Sequence, residues 1–95
     1  MAKVARASEV KKFTDIPNVG KAMEHDFIFL GLKSPAELKK QDAFKLYQKM
    51  CKKSGTRQDP CVLDTYIAVI DFMNGAPAKP WFYYTKDRKE RYPNI

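Results

Sequence analysis

Apolar residues recur along this chain at helical rather than strand spacing. No segment alternates polar and apolar positions over more than a few residues, which predicts an all-α fold of about five short helices. The clearest amphipathic stretch is Ala43 to Lys53. There Ala43, Leu46, Tyr47, Met50 and Cys51 fall at i, i+3, i+4, i+7 and i+8, and Lys45, Lys49, Lys52 and Lys53 take the opposite face. Cys61 to Met73 is the most apolar segment and is predicted to be the buried spine. Ala22, Met23, Phe27 and Leu30 share a face of a third helix, over about residues 20–30.

The boundaries follow from punctuation. Ser8 is a candidate cap for a first short helix running to Thr14, with Val10 and Phe13 on one face. Pro17, Asn18 and Gly20 make a sharp connection, and Gly31 stops the next helix. Ser34-Pro35-Ala36-Glu37 is a start signal for a helix of about one turn. Asp42 and Asp59-Pro60 start the two longest helices, which end at Gly55 and at Asn74-Gly75. Ala76 to Pro80 should be extended. Trp81 to Tyr84 either stack on unpaired bases or fold back to close the core, and in so short a chain burial of Trp81 and Phe82 is the expectation. The organisation read from this is a basic arm at residues 1–7, a domain at 8–84 and a free basic tail at 85–95.

Charge changes the picture from fold to partner. The 95 residues carry 18 Lys and Arg against 11 Asp and Glu, a net charge of +7. The excess is concentrated in residues 1–12, 33–57 and 79–91, which suggests a polyanionic partner. The length excludes a two-domain enzyme. A membrane span needs about 18 consecutive apolar residues, and Asp64 and Asp71 interrupt the best candidate. With no apolar run after the first charges, the expected location is the cytoplasm, where Cys51 and Cys61 should be thiols, buried as small hydrophobes. Those two and His25, the single histidine, do not make up a zinc set. His25 sits between Glu24 and Asp26 on a predicted helix surface, and Asp64 and Asp71 are expected to meet lysines rather than form a catalytic pair.

The connection Ile16-Pro17-Asn18-Val19-Gly20-Lys21 holds the sharpest chemistry. A glycine at a helix start leaves the N–H groups of Val19, Gly20, Lys21 and Ala22 open to a phosphate oxygen, with Lys21 adding a charge beside them. The same residues also suit an ordinary tight turn between packed helices.

The run from Phe13 to Met23, followed by Leu30-Gly31-Leu32 and Ser34-Pro35-Ala36-Glu37-Leu38, resembles the helix-hairpin-helix motif. Together with Met50-Cys51, Gly55, Asp59 to Asp64, Pro80-Trp81-Phe82, Thr85 and Arg88-Lys89, it is similar to a small bacterial helix-hairpin-helix family associated with a pathogenicity locus and mitomycin resistance, over about residues 10–91. A looser similarity is to the C-terminal domain of competence regulators of the TfoX type. The resemblance implies sequence-independent binding of DNA through hairpin amides, sometimes with a monovalent cation on the hairpin carbonyls, and DNA-related roles with no established reaction; the expectation is a binding protein in a repair or processing context, for which no catalysis is required. By position, Asn18 stands for the first glycine, Val19 for the hydrophobic tip, Gly20 for the second glycine and Lys21 for a basic residue. Asn18 departs from the pattern, and Lys53-Ser54-Gly55-Thr56 is a degenerate second hairpin. The DNA contacts expected are therefore Asn18, Val19, Gly20 and Lys21, with Lys86, Arg88, Lys89 and Arg91 of the tail. One rival reading is a protein-interaction adaptor that keeps the fold and has lost DNA binding. A thiol sensor using Cys51 and Cys61 is another.

Overall fold

A computed structural model describes residues 3–95. These residues are all-α, with helices α1 (Lys21–Phe29), α2 (Ala43–Ser54), α3 (Pro60–Met73) and α4 (Thr85–Arg91), and 3-10 helices at Ala7–Glu9, Phe13–Asp15, Pro35–Lys40 and Trp81–Tyr84. Helix α3 is the centre. Every residue from Leu63 to Ile70 is buried, so the helix must be covered on all sides, and α2, α4 and the 3-10 helices at 35–40 and 81–84 pack around it. Its start is as predicted, with Pro60 in the first turn and an Asp59 carboxylate oxygen accepting the Cys61 N–H at 2.9 Å.

Helix α2 is also capped as expected, by the Asp42 carboxylate on the Lys45 N–H at 3.1 Å, and ends at Gly55 in the left-handed conformation with φ 72°. Its lysine face is partly committed to the fold. The Lys49 ammonium donates to the Leu30 carbonyl at 2.8 Å, and Lys53 donates to the Phe29 carbonyl while lying 4.8 Å from the Phe29 ring centre. Two cations thus satisfy carbonyls at the C-terminal end of α1, where the helix dipole favours positive charge. The Tyr47 hydroxyl closes the loop between α2 and α3 by donating to the Gln58 carbonyl at 2.5 Å.

The predicted helix from Ser8 to Thr14 does not form. Two separate 3-10 turns replace it, with Val10 extended between them. The cause is Asp15, whose carboxylate accepts the N–H groups of Lys11 and Lys12 at 3.0 and 3.1 Å, a local bond that competes with helix formation. Those same N–H groups, Lys11 first, hold the Asp15 carboxyl below the ordinary carboxylate range. Nor is the N-terminal segment a separate arm over its described part. The Val4 N–H bonds the Asp15 carbonyl at 3.1 Å, and Val4, Ala7 and Val10 pack on the core. Residues 1 and 2 of the predicted arm lie outside the described residues.

The expected free tail is corrected as well, because residues 85–91 form α4, docked against α3. Asp64 on α3 is fully buried, and a buried carboxylate requires a partner. Arg88 supplies it, with Nε 2.7 Å from Asp64 Oδ1, and the Thr85 hydroxyl donates to Asp64 Oδ2 at 2.8 Å. The partner predicted for Asp64 was a lysine. The expected burial of Trp81 and Phe82 is overturned too: Trp81, Phe82 and Tyr83 are exposed at 39%, 63% and 60%, and Tyr84 alone is buried. A 3-10 helix has three residues per turn, so positions 81 and 84 share a side and positions 82 and 83 face away from it. Both cysteines are half-buried free thiols rather than fully buried. No helix among the described residues is long and apolar enough to cross a membrane.

Candidate nucleic-acid interface

The turn before α1 is held from beneath. Ile16 and Val19 are fully buried, and the rings of Phe13 and Phe27, at 5.4 Å, join the two flanks of the turn. Phe27 in turn meets Tyr66 of α3 at 5.8 Å. Pro17 fixes its own φ, and Asn18 reverses the chain at φ 74°, the left-handed conformation that asparagine tolerates better than most residues.

Val19 does not occupy the exposed tip that the resemblance implied. Its side chain belongs to the core, and its N–H donates to the Ile16 carbonyl at 3.1 Å, so neither is open to a ligand. The burial follows from the turn itself, which points the one aliphatic side chain between Asn18 and Gly20 at Phe13 and its neighbours in the core.

Gly20 and Lys21 are exposed where the sequence placed them. Gly20 is the N-cap of α1 in an extended conformation, φ −98° and ψ −171°, so its backbone does not require glycine. Beyond Gly20 and its two chain neighbours, no heavy atom lies within 4 Å of where a Cβ on Gly20 would stand. The N–H groups of Gly20, Lys21 and Ala22 have no backbone acceptor among the described residues. The result is an open row of donors at the positive end of a nine-residue helix, flanked by the Lys21 ammonium, a geometry suited to an anion. The acid in this first turn is Glu24, half-buried.

Asn18 has a second role that its position in the sequence does not reveal. Its side-chain amide donates to the Lys79 carbonyl at 2.8 Å, and its Oδ1 accepts the Trp81 N–H at 3.1 Å. The turn is thereby fastened to a segment 61 residues away that carries the exposed aromatics and Lys79, whose ammonium lies 4.8 Å from the Tyr83 ring centre. The asparagine that departs from the glycine pattern is turned toward this segment.

The carbonyls of the turn are also spoken for. The Lys3 ammonium donates to the Thr14 carbonyl at 2.6 Å and to the Val19 carbonyl. These carbonyls already carry a cation from the chain itself, so the residues present do not fit a free monovalent cation there.

Of the C-terminal residues, Lys86 and Lys89 are exposed. Arg91 is exposed but ion-paired with Asp87 at 3.4 Å, and it lies 5.5 Å from the Tyr92 ring centre. Arg88 is removed from the expected contact set, because it is 7% exposed and spent on Asp64. Lys3, Lys79 and the coupling through Asn18 were missed in the sequence. The only trace of that coupling was an asparagine standing where glycine is usual.

The thiols offer no comparable chemistry. Burial first, and then the neighbouring Asp59 carboxylate, pushes the Cys61 thiol above its ordinary pKa, opposing the lowering expected at a helix start. Among the described residues no cluster of three His, Cys, Asp or Glu side chains is placed to hold a metal.

Comparison with known proteins supports the pathogenicity-locus and mitomycin-resistance part of the resemblance read from the sequence. No solved structure gives a significant match. A protein of Streptomyces lavendulae named mitomycin resistance protein McrB is 37% identical over 83 residues, which is 87% of this chain and 79% of that protein. The family described as Pathogenicity locus matches residues 6–90, nearly the whole chain. On that span and that identity, the chain belongs to the pathogenicity locus family.

Proposed function

We propose that this protein binds DNA without sequence specificity, through the phosphate backbone, using the turn at Asn18 to Lys21. One observation carries the reading: Gly20 opens α1 at the surface with no atom beyond its chain neighbours within 4 Å of its missing side chain, beside unbonded N–H groups and exposed Lys21. A phosphate oxygen there accepts from the Gly20, Lys21 and Ala22 amides, while the helix dipole and the ammonium stabilise its charge. Lys86, Lys89 and the free lysines of residues 33–57 add attraction that is long-ranged and weakened by salt. Nothing in this mode reads a base edge, so affinity should vary little with sequence. The context we infer is DNA repair or processing, and the name of the Streptomyces protein makes mitomycin resistance a phenotype to test.

Gly20→Val tests the site apart from the fold. The space around Gly20 is empty, and its backbone is one that valine adopts. The variant should therefore keep its helical circular dichroism and unfold near the wild-type midpoint, while losing roughly tenfold in duplex affinity, the equivalent of about one charge-assisted hydrogen bond. Unchanged affinity would remove the turn from the interface, and absence of duplex binding by the wild type would leave the adaptor reading in its place.

A further inference from the structure

We infer that the DNA class recognised is one with unpaired bases next to duplex, an overhang or a junction, and that Trp81, Phe82 and Tyr83 are the stacking platform; this rests on the phosphate-binding reading above. The three rings are exposed at 39%, 63% and 60%, while the fourth aromatic of the run, Tyr84, is the one that anchors the segment in the core. Phe82 and Tyr83 therefore add little to the core, while Trp81 is covered over part of its surface and open over the rest. Trp81 and Phe82 meet edge to face at 5.8 Å, which leaves ring faces for other partners.

The platform is stiff and positioned. Pro77 and Pro80 precede it, a 3-10 helix carries it, and the two hydrogen bonds of Asn18 fasten its start to the phosphate-binding turn. A strand whose backbone is held at Gly20 and Lys21 thus leaves the turn beside aromatic faces. Charge selects a nucleic acid over other occupants. From Phe72 to Lys86 the sequence holds no acid, Lys79 lies over the Tyr83 ring and Lys86 follows at once, while Asp87 and Glu90 border the cleft beside Tyr83 and Asp71 lies against the anchoring Tyr84 rather than the exposed rings. Bases stack on such rings whatever their identity, which matches backbone-directed binding. Paired bases inside a duplex present no free face, so the platform acts only where the duplex ends or opens.

Trp81 is the single tryptophan, so the full-length chain reports on its own platform through fluorescence. Three ligands should be titrated at one salt concentration: a blunt duplex, the same duplex with a short single-stranded overhang, and the same overhang made abasic, which keeps the phosphates and removes the bases. The expected result is quenching of Trp81 and about 5- to 100-fold tighter binding for the base-bearing overhang only. Phe82→Ala with Tyr83→Ala changes two exposed side chains, so the fold should persist, and should bring the overhang down to the blunt-duplex affinity. Equal binding of all three ligands without quenching would overturn the platform and leave the phosphate-binding reading intact. Failure to bind any of them would overturn both. Light scattering that shows a dimer in the wild type and a monomer in the double variant would assign the patch to self-association and overturn the platform.

Discussion

At Asn18 a left-handed backbone and a side-chain clamp coincide in one residue, and substitution separates them. Asn18→Gly keeps φ 74° without strain and deletes the bonds to Lys79 and Trp81, whereas Asn18→Ala deletes the same bonds and, unlike glycine, keeps a Cβ in the left-handed region without the amide that eases it, at about 1 kcal/mol. Urea unfolding should rank wild type above Gly and Gly above Ala. In the Gly variant, amide exchange should speed up at Trp81 while α3 stays protected. Lys3 gives a second test at this scale. Because its ammonium holds the Thr14 and Val19 carbonyls, wild-type affinity for DNA should be the same in potassium, sodium and lithium chloride at one ionic strength. Lys3→Met frees those carbonyls, and affinity should then fall and depend on which cation is present.

Among the elements, α4 shows what the sequence could and could not disclose. The caps at Asp42 and Asp59, the stops at Gly31 and Gly55 and the buried length of α3 were all legible, because each depends on residues within a few positions of one another. The docking of α4 was not, since Asp64 and Arg88 are 24 residues apart and a basic run reads as a solvated tail until its partner is known. Lys49 and Lys53 were hidden in the same way, their α1 carbonyl partners being 19 and 24 residues distant. In the candidate site, Gly20 and Lys21 were legible from the turn chemistry. Val19 was misplaced twice over, its side chain at the tip by the resemblance and its N–H in the open row by the turn chemistry, because packing buries the one and the Ile16 carbonyl takes the other. Arg88→Ala should strand a fully buried carboxylate and cost about 3 to 5 kcal/mol in urea unfolding. Lys86→Gln and Lys89→Gln, both at exposed positions, should stay within about 0.5 kcal/mol of wild type. If Arg88→Ala were as stable as those two, the Asp64 pair would not be what holds α4 in place.

Over the whole molecule, the +7 charge is less available than its count suggests. Arg88 is buried, Arg91 is paired with Asp87, Lys3 lies on the turn, and Lys49 and Lys53 close the end of α1. What remains exposed includes Lys21, Lys79, Lys86, Lys89 and the other lysines of residues 33–57. An interface built on the turn and a part of this set neutralises about four to six phosphates. The most direct test is a titration of duplex affinity against salt, repeated on two unrelated base sequences. A slope of log affinity against log salt of about −3.5 to −5.5, the same for both sequences, is the predicted result. Absence of salt-dependent binding to any form of DNA at micromolar protein would contradict the account and turn the basic surface toward an acidic protein partner.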